Sequence, residues 1–393
     1  MKCKLSDICD FRKGKVDVSK LTLKTYISTE NMLPNKGGIT EANSLPTIQL
    51  TQEYKKGDVL VSNIRPYFKK IWRAKYDGGC SNDVLVFQGN SNIDGDFLYY
   101  VLANGDFFDY SMATSKGTKM PRGDKTSIMQ YEVPVFDVDT QRKIASVLRC
   151  LDEKIELNST INKNLEQQAQ TIFKSWFVDF EPFGGVQPSE MQFIPLQELC
   201  KVVTKGTTPT TLGKSFTNSG INFIKAESIH DNHSIDSSKF AFIDEETNAL
   251  LKRSIIKAND IVFTIAGTLG RFAMIDNSML PANTNQAVAI IRPDETKVTP
   301  AYLYSFFIGN WHNEYYSKRI QQAVQANLSL TTIKSLPIAV LNDTTMSNYD
   351  KLVSPLFALM KNNEEENRRL SKLRDTLLPK LMSGELDVSD IDF

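Results

Sequence analysis

The stretch Gly57-Asp58-Val59-Leu60-Val61-Ser62 is repeated about 200 residues later as Asn259-Asp260-Ile261-Val262-Phe263-Thr264. In both copies a turn dipeptide leads into a short apolar run, which is typical of a buried β-strand. A repeat of this length is much longer than a solenoid unit. It therefore indicates that a whole domain has been duplicated.

Further matched segments follow in the same order in the two halves of the chain. Ordered matches at a nearly constant offset predict two similar domains that mix strands and helices. The matched pairs are Asn82 with Asn285, Phe97–Tyr99 with Tyr302–Tyr304, and Val133–Val135 with Leu336–Ile338.

A long helical pattern follows each mixed segment, over roughly residues 141–176 and 347–383. The apolar positions of the two patterns coincide in coiled-coil spacing, so that Leu148 aligns with Val353 and Ile172 with Leu377. A helix of about 36 residues is roughly 50 Å long, which suits a spacer. Breakers are expected to end the helices at residues 181–185 and 383–384, and Ser354-Pro355 is expected to mark a start or a kink.

Either helix could simply cover the sheet of its own domain. Because the two patterns match, an antiparallel pair is the simplest way to bury both seams. Such a pair would bring Asn158 near Asn367 and Asn162 near Asn363. The fold class predicted is α+β, with two similar mixed domains in tandem, separated by two long helices that form an antiparallel coiled coil. The expected divisions are residues 1–140, 141–182, 190–344 and 345–384.

Composition sets limits on the class of protein. The chain has 393 residues, and its 46 Lys and Arg balance its 46 Asp and Glu, so any phosphate-binding surface must come from local clustering. Five scattered cysteines suit a reducing compartment. The sequence shows neither a signal peptide nor an apolar run long enough to cross a bilayer, so a cytoplasmic protein without a membrane partner is expected.

The strongest charge cluster lies between Lys55 and Tyr76, where aromatic residues interleave with cations and Asp58 is the one acid before Tyr76. Cations there could bind phosphates, and rings could pack on sugars and bases, although each cluster alone could be a solvated face. A second basic stretch follows in a loop. The candidate DNA-binding residues are Lys55, Lys56, Arg65, Tyr67, Lys69, Lys70, Arg73, Lys116, Thr118, Lys119 and Arg122.

The second half carries a more polar set in loops rich in glycine and threonine. Amides can bond adenine edges and arginine can bond guanine, so such loops could read a groove, or they could be ordinary exposed loops. The candidates are Lys205, Thr207, Thr208, Thr268, Arg271, Gln321, Gln325 and Asn327.

The sequence lacks the motifs that a catalytic site would need. Residues 206–215 differ from a phosphate-binding loop in spacing and in their first glycine. The tetrapeptide with which amino-methylating enzymes hold a flipped base is also absent. His230 and His233 are too close together to build a metal centre, and a surface role is expected for them. We therefore expect no catalytic residues, no metal and no cofactor.

Three stretches, Gln141–Ile155, Ala169–Phe180 and Glu366–Gly384, together with the duplication, make the chain resemble the specificity (S) subunit of type I restriction-modification systems. Gly206-Thr207-Thr208-Pro209 is similar to the start of a target recognition domain in that family, whereas Lys13-Gly14-Lys15 departs from it. Residues 325–329 and 117–122 resemble two forms of the loop before the final strand of the domain.

The resemblance implies that each domain reads one half of a bipartite target in double-stranded DNA. It also implies that two methyltransferase (M) subunits, which bind S-adenosylmethionine and methylate adenine, dock along the helices. A separate motor and nuclease (R) subunit would make restriction possible. Two rival interpretations remain, namely a free-standing DNA-binding regulator with two reading heads and a single-chain restriction enzyme that lacks its catalytic part.

Overall fold

The computed structural model describes residues 2–312, 315 and 327–390. The chain divides into two compact units. Unit 1 comprises Met1–Leu157 and Glu366–Phe393, and unit 2 comprises Asn158–Glu365. Each unit combines one mixed domain with a part of both long helices, Val138–Phe177 (α4) and Asp343–Ser383 (α8).

The mixed domain of unit 1 contains short strands and three short helices in its described residues. The strands are β1 Lys2–Lys4, β2 Cys9–Phe11, β3 Lys15–Asp17, β4 Tyr26–Ile27, β5 Leu50–Tyr54, β6 Val59–Ser62, β7 Ile71–Arg73, β8 Gly78–Cys80, β9 Val84–Gly89 and β10 Glu132–Pro134; the helices are α1 Gly95–Ala103, α2 Gly105–Ala113 and α3 Lys125–Ile128.

The mixed domain of unit 2 has a matching set of elements. The strands are β11 Gln192–Pro195, β12 Cys200–Lys205, β13 Ile221–Ile224, β14 Ala241–Ile243, β15 Ile261–Thr264, β16 Phe272–Met274, β17 Ala282–Thr284, β18 Val288–Pro293 and β19 Pro337–Val340; the helices are α5 Glu245–Leu250, α6 Pro300–Ile308 and α7 Leu330–Lys334.

The sheets of the two domains share one topology. An antiparallel sheet has the order β2-β9-β6-β7 in unit 1 and β12-β18-β15-β16 in unit 2. A second sheet contains a parallel pair, β4 with β8 in unit 1 and β13 with β17 in unit 2. The terminal strands pair as β1 with β10 and β11 with β19. The predicted fold class, with two similar domains in tandem, is confirmed.

The central strands β6 and β15 are the apolar runs quoted first above, and every residue in them is buried. Their side chains alternate between two cores, as the period of a strand requires. Val59 and Val61 face the core that contains α1, while Leu60 faces the opposite one. Ile261 and Phe263 alternate with a buried valine in the same way in unit 2. Burial on both faces explains why these strands are continuously apolar.

One sequence match is shifted by a residue. Ser62 pairs with Val84 in unit 1 and Thr264 pairs with Val288 in unit 2, so Val84 is equivalent to Val288. Asn285 is therefore equivalent to Ser81, and the predicted match with Asn82 is wrong. The shift arises because the connection from Ser62 to Val84 is shorter than that from Thr264 to Val288.

The two long helices begin at side-chain caps. Asp137 accepts the backbone N–H of Thr140, and Asn342 accepts that of Thr345, each at 2.9 Å. Helix α4 ends at Phe177, before the predicted breakers, because Phe180 already adopts a left-handed conformation with a φ of 55°. Helix α8 passes through Pro355, which is therefore not its start.

The helices run antiparallel within each unit. In unit 1, Arg374 Nη1 lies 2.7 Å from Asp152 Oδ1, and Lys154 Nζ lies 3.2 Å from Glu366 Oε2. In unit 2 the amide of Asn363 donates to Asn162 Oδ1 at 2.8 Å, as predicted. The predicted approach of Asn158 to Asn367 involves residues of both units and stays a prediction.

Each domain also buries the C-terminal end of one long helix in its core. In unit 1, Leu378 and Leu381 of α8 and Val388 beyond it are buried in the cluster that includes β6, β9 and α1. In unit 2, Phe173 and Phe177 of α4 are buried in the corresponding cluster. The core of unit 1 therefore depends on residues from both ends of the chain.

Candidate nucleic-acid interface

The predicted basic stretch of unit 1 is divided between the two ends of β6. Lys55, Lys56 and Arg73 lie at its beginning, because Lys55 and Lys56 precede the strand and Arg73 pairs with Val59. The predicted candidates between Arg65 and Lys70 follow its end, in the connection to β7. Closeness in sequence therefore does not place these cations on one surface.

The cations at the beginning of β6 have acidic neighbours. Lys55 Nζ lies 3.0 Å from Glu53 and 3.4 Å from Asp77, and the guanidinium of Arg73 is paired with Asp96. The backbone N–H of Lys56 donates to Asp77 at 2.8 Å. All three acids lie outside the stretch Lys55–Tyr76, so the sequence pattern did not reveal them. Their negative charges weaken the attraction of this end of the strand for a phosphate.

At the other end of β6 two connections meet. The N–H of Arg65 donates to the carbonyl of Pro121 at 2.8 Å, and that of Gly123 donates to Asn63 at 3.2 Å. We call residues 63–70 and 115–123 the unit 1 loop surface. It contains eight of the predicted residues: Arg65, Tyr67, Lys69, Lys70, Lys116, Thr118, Lys119 and Arg122.

The side chains of the unit 1 loop surface differ in how available they are. Tyr67 is 49% exposed, and its ring stands 4.6 Å from that of Phe68. Lys116 pairs with Asp124 at 2.5 Å, which together with the N–H of Ser127 lowers the pKa of that carboxyl to about 2. Lys70 donates to the carbonyl of Thr29 at 2.6 Å, and burial lowers its pKa.

In unit 2 the connections after β12 and β15 both contact the connection between β17 and β18. Gly206 donates to the carbonyl of Asn285 at 3.1 Å, and Ile265 donates to that of Ala287 at 2.8 Å. A Cβ at Gly206 would lie 1.9 Å from the carbonyl oxygen of Thr284, so only glycine permits this approach. We call residues 205–208, 265–271, 285–287 and 327–329 the unit 2 loop surface.

Five predicted residues lie around these contacts. Lys205, Thr268 and Asn327 are exposed, while Thr207 and Thr208 are half-buried. The hydroxyl of Thr208 bonds the amide of Gln286, and Arg253 Nη2 lies 3.4 Å from Thr207 Oγ1. The predicted residues Gln321 and Gln325 lie outside the described residues.

Arg271 is held by an acid from a distant part of unit 2. Its Nε and Nη2 atoms each lie 2.7 Å from an oxygen of Asp231, and Nη1 donates to the carbonyl of Ile229 at 3.3 Å. The guanidinium is thus fixed in a bidentate pair, the geometry in which arginine is most directional.

The two loop surfaces are equivalent residue by residue in several places. Gly123 and Leu328 donate to the residues that follow β6 and β15, so Arg122 is equivalent to Asn327. Strand pairing likewise places Lys13-Gly14 at the position of Lys205-Gly206. Lys13 and Gln286 are exposed polar residues that the sequence reasoning missed. The repeat offset could not have found Lys13, because Lys13 precedes Lys205 by 192 residues whereas Gly57 precedes Asn259 by 202.

One of the two histidines predicted to lie at the surface, His233, does not lie there, whereas the His230 side chain is 36% exposed. The His233 side chain is only 15% exposed and stacks on Phe272 at 4.0 Å, and His312 is fully buried. The surface role predicted for His233 is therefore wrong, because a hairpin folds it against the domain. Across residues 2–312, 315 and 327–390 no group of three His, Cys, Asp or Glu side chains could hold a metal ion.

Residues 206–215 do not form a phosphate-binding loop. Pro209–Leu212 is a single 3-10 turn, and Lys214 Nζ pairs with Glu246 at 2.7 Å. A phosphate-binding loop would lead into an α-helix at the lysine. In the described part of the chain, no helix is both long and apolar enough to cross a membrane.

Comparison with known proteins gives matches over nearly the whole chain. The family model described as type I restriction modification DNA specificity domain matches residues 1–167 and again 188–343. The specificity subunit of type I restriction enzyme HindI from Haemophilus influenzae is 26% identical, over 97% of this chain and 98% of that protein. The MjaIX specificity subunit from Methanocaldococcus jannaschii is also 26% identical, over 86% of this chain and 79% of that protein.

A solved structure agrees with the fold. The S subunit of a type I restriction-modification system from M. genitalium superposes with a TM-score of 0.58 at 17% identity, over 97% of this chain and 96% of that one. The curated relatives are named specificity subunits, in agreement with the prediction of a non-catalytic recognition subunit. Because the family model accounts for most of the sequence, the chain belongs to the type I restriction modification DNA specificity domain family and contains that domain twice.

Proposed function

We propose that this chain is the DNA-recognition subunit of a cytoplasmic type I restriction-modification complex, and that each mixed domain reads one half of a bipartite DNA target. The long helices set the distance between the half-sites and dock two adenine-N6 methyltransferase subunits. Those subunits bind S-adenosylmethionine, and R subunits supply restriction where it occurs. The observation that carries the proposal is the pair of equivalent loop surfaces, one in each unit.

The two loop surfaces supply complementary kinds of contact. Lys69 and Lys119 on the unit 1 loop surface provide positive charge, which releases counterions from DNA without choosing a sequence. Tyr67 offers an exposed ring on the same loop surface. The unit 2 loop surface presents hydroxyls and amides, whose donors and acceptors can distinguish base edges. The unit 1 domain therefore contributes more to DNA affinity, and the unit 2 domain contributes more to the choice of bases.

A salt titration tests the charged half of this proposal. Replacing Lys69 and Lys119 by Gln should weaken DNA binding and reduce the slope of log K against log salt by about 1 for each lysine that no longer meets a phosphate. The matched control is Lys55→Gln with Arg73→Gln, which removes equal charge from residues paired with Glu53 and Asp96. An equal change of slope in both variants would refute the assignment of the loop surface.

The alternative is a free-standing regulator with two reading heads. Co-purification separates the two functions, because a specificity subunit should bring down two copies of an adenine-N6 methyltransferase and a regulator should bring down none. The isolated chain should transfer no methyl group in either case. Labelled methyl transfer by the purified chain alone would contradict both.

A longer pair of helices tests the spacing. Seven residues inserted after Leu157 and seven after Glu365, at the unit boundaries, keep the heptad register and add roughly 10 Å. At about 3.4 Å per base pair the preferred gap should grow by about three pairs, while the half-sites stay unchanged. Selection from a DNA library with varied gaps measures this. An unchanged gap at full affinity would show that the helices do not set the spacing.

A further inference from the structure

A small hairpin recurs at the same place in both domains. In unit 1 an antiparallel bridge between Met32 and Ile39 closes it, and in unit 2 a bridge between Ile229 and Ile235 does so. Each hairpin follows the first strand of the parallel pair, β4 in unit 1 and β13 in unit 2. The last residues of these strands, Ile27 and Ile224, each stand five positions before the first bridge residue. We call residues 32–39 and 229–235 the linking hairpins.

Residues at equivalent positions occupy the tips of the linking hairpins. Lys36 and His233 each stand four positions after the first bridge residue, and both have left-handed backbones with φ values of 60° and 63°. Few residues other than glycine adopt this conformation, which costs roughly 1 kcal/mol or more. A shared position and a shared strained backbone indicate a common role.

In unit 1 the linking hairpin joins the loop surface to a long helix. Asn35 and Lys36 donate their N–H groups to the carbonyls of Phe68 and Lys69, at 2.8 and 2.9 Å. The side chain of Lys36, 14% exposed, pairs at 2.8 Å with Asp375 of α8.

The acid that holds Lys36 is itself fixed in the helix pair of unit 1. Asp375 lies 3.0 Å from Arg374, whose guanidinium also pairs with Asp152 of α4 at 2.7 Å. The Lys36 ammonium thus meets a carboxylate whose position is set by both long helices. Lys36 therefore connects the helix pair of unit 1, through its side chain, to the carbonyl of Lys69, through its N–H.

The backbone on both sides of the unit 1 contact is strained. Arg65 and Lys69, which flank the first turn after β6, also have left-handed φ values of 51° and 50°. With Asn35 and Lys36 they place four such non-glycine residues in two connections that are hydrogen-bonded to each other. Strain of this kind persists where the surroundings fix a conformation.

In unit 2 different side chains make the same connection. Asp231 and the carbonyl of Ile229 hold the guanidinium of Arg271 on the unit 2 loop surface. At the tip, His233 Nε2 lies 3.9 Å from Glu166 Oε1 of α4, and the His233 ring stacks on Phe272 of β16. The linking hairpin again touches a loop surface on one side and a long helix on the other.

We propose that the linking hairpins orient each loop surface on the helix pair, with Lys36 and His233 as positioning residues for base discrimination. This inference rests on the proposed function. The hairpins contribute no base contact in this scheme. They fix the angle at which each loop surface meets the DNA, and with it the base edges that the residues of that surface can reach.

The test measures discrimination at each half-site separately. Lys36→Met and Asp375→Asn should each lower discrimination at one half-site about 3- to 10-fold, and the double variant should be no worse than either single one. His233→Asn and Glu166→Gln should act on the other half-site alone. The full-length chain is used throughout, with competition binding against targets altered in one half-site.

Two controls separate positioning from a merely structural role. Lys36→Arg keeps the positive charge, so its discrimination should equal that of the unaltered chain. Glu156→Gln removes a different ion pair between the unit 1 domain and a long helix, the one with Lys75. Because Lys75 lies outside the unit 1 loop surface, this variant should leave discrimination unchanged. Thermal unfolding identifies any variant that fails to fold, and the conservative Lys36→Arg and Asp375→Asn variants then decide the outcome.

The results distinguish this inference from the proposed function. If the unaltered chain does not prefer a bipartite target, the proposed function fails. If it does, but the hairpin variants weaken both half-sites equally, leave discrimination unchanged or act no more than Glu156→Gln, the positioning role is overturned while the proposed function stands.

Discussion

Asp58 in unit 1 and Asp260 in unit 2 occupy equivalent buried positions, yet they take their arginine partners from different strands. Arg12, just after β2, pairs with Asp58, with one contact of 2.9 Å. Arg292 of β18 pairs with Asp260 through two contacts of 2.7 Å. Strand pairing makes Arg12 equivalent to Thr204 and Arg292 equivalent to Gln88.

Both units therefore keep a positive partner for the buried aspartate, but not at the same position in the sequence. In both units the aspartate also accepts an N–H three residues before it, from Lys55 or Lys257, at 2.8 Å. A buried carboxylate that shapes this turn needs a counter-charge. The counter-charge comes from the segment of β2 in unit 1 and from β18 in unit 2, which are not equivalent strands.

The largest change in stability is expected when the arginine that pairs with Asp260 is removed and then placed at the position it has in unit 1. Arg292→Gln should destabilise unit 2 by about 4 kcal/mol, because it leaves Asp260 buried without its counter-charge. Adding Thr204→Arg, which recreates the arrangement of unit 1, should recover a large part of that loss. Hydrogen exchange resolved by unit measures both changes. If the second arginine recovers nothing, the two positions are not interchangeable.

A second prediction concerns the helix ends buried in each core. Leu378→Ala should destabilise unit 1 by about 3 kcal/mol, and Phe173→Ala should do so for unit 2 by a similar or larger amount. Both side chains are at most 2% exposed. Exchange protection should fall only in the unit that contains the substitution. Leu373→Ala, at a residue 47% exposed, is the control and should cost little.

Acid should distinguish the units, because all three histidines lie in unit 2. Burial lowers the pKa of His312 to about 3 and also lowers that of His233. Below the unfolded value of about 6.5, the unfolded chain binds a proton that the folded chain does not, so stability falls as the pH drops from there toward 3.

The size of this acid effect follows from the pKa shift. At pH 5 the loss from His312 should be about 2 kcal/mol. Denaturant unfolding of unit 2 at pH 7 and pH 5 measures it, and His312→Gln should abolish that share of the pH dependence. An unaltered pH dependence in the variant would mean that His312 titrates normally in the folded chain.

The smallest effect is expected at the seam of unit 2. Asn162→Ala should cost about 1 kcal/mol, because it removes the acceptor of the Asn363 amide. Replacing both by Leu should recover that loss, since neither polar group then needs a partner. Unit 1, whose described part of the seam contains the Asp152–Arg374 pair, should not respond. A loss of equal size in unit 1 would contradict this assignment.

The features that sequence predicted well depend on short-range periodicity. Val59 and Val61, like Ile261 and Phe263, alternate within four residues, and the two long helices repeat one apolar pattern. The positions of charges were predicted poorly, because they depend on contacts between distant segments. Arg73 meets Asp96, and Arg271 meets an acid forty residues before it. The linking hairpins could not be foreseen, because their strained backbone leaves no pattern in the sequence.

The chain order of the units has a consequence for how the protein is made. Unit 2 is one continuous stretch, whereas the core of unit 1 takes Leu378, Leu381 and Val388 from the last part of the chain. At roughly 5–20 residues per second, a ribosome needs about 10–40 s to pass from Leu157 to Glu366. During that time the core of the first-made domain lacks these residues, and the apolar surface that they cover stays exposed. The later-made unit is therefore the first that can finish folding, which reverses the usual order of synthesis.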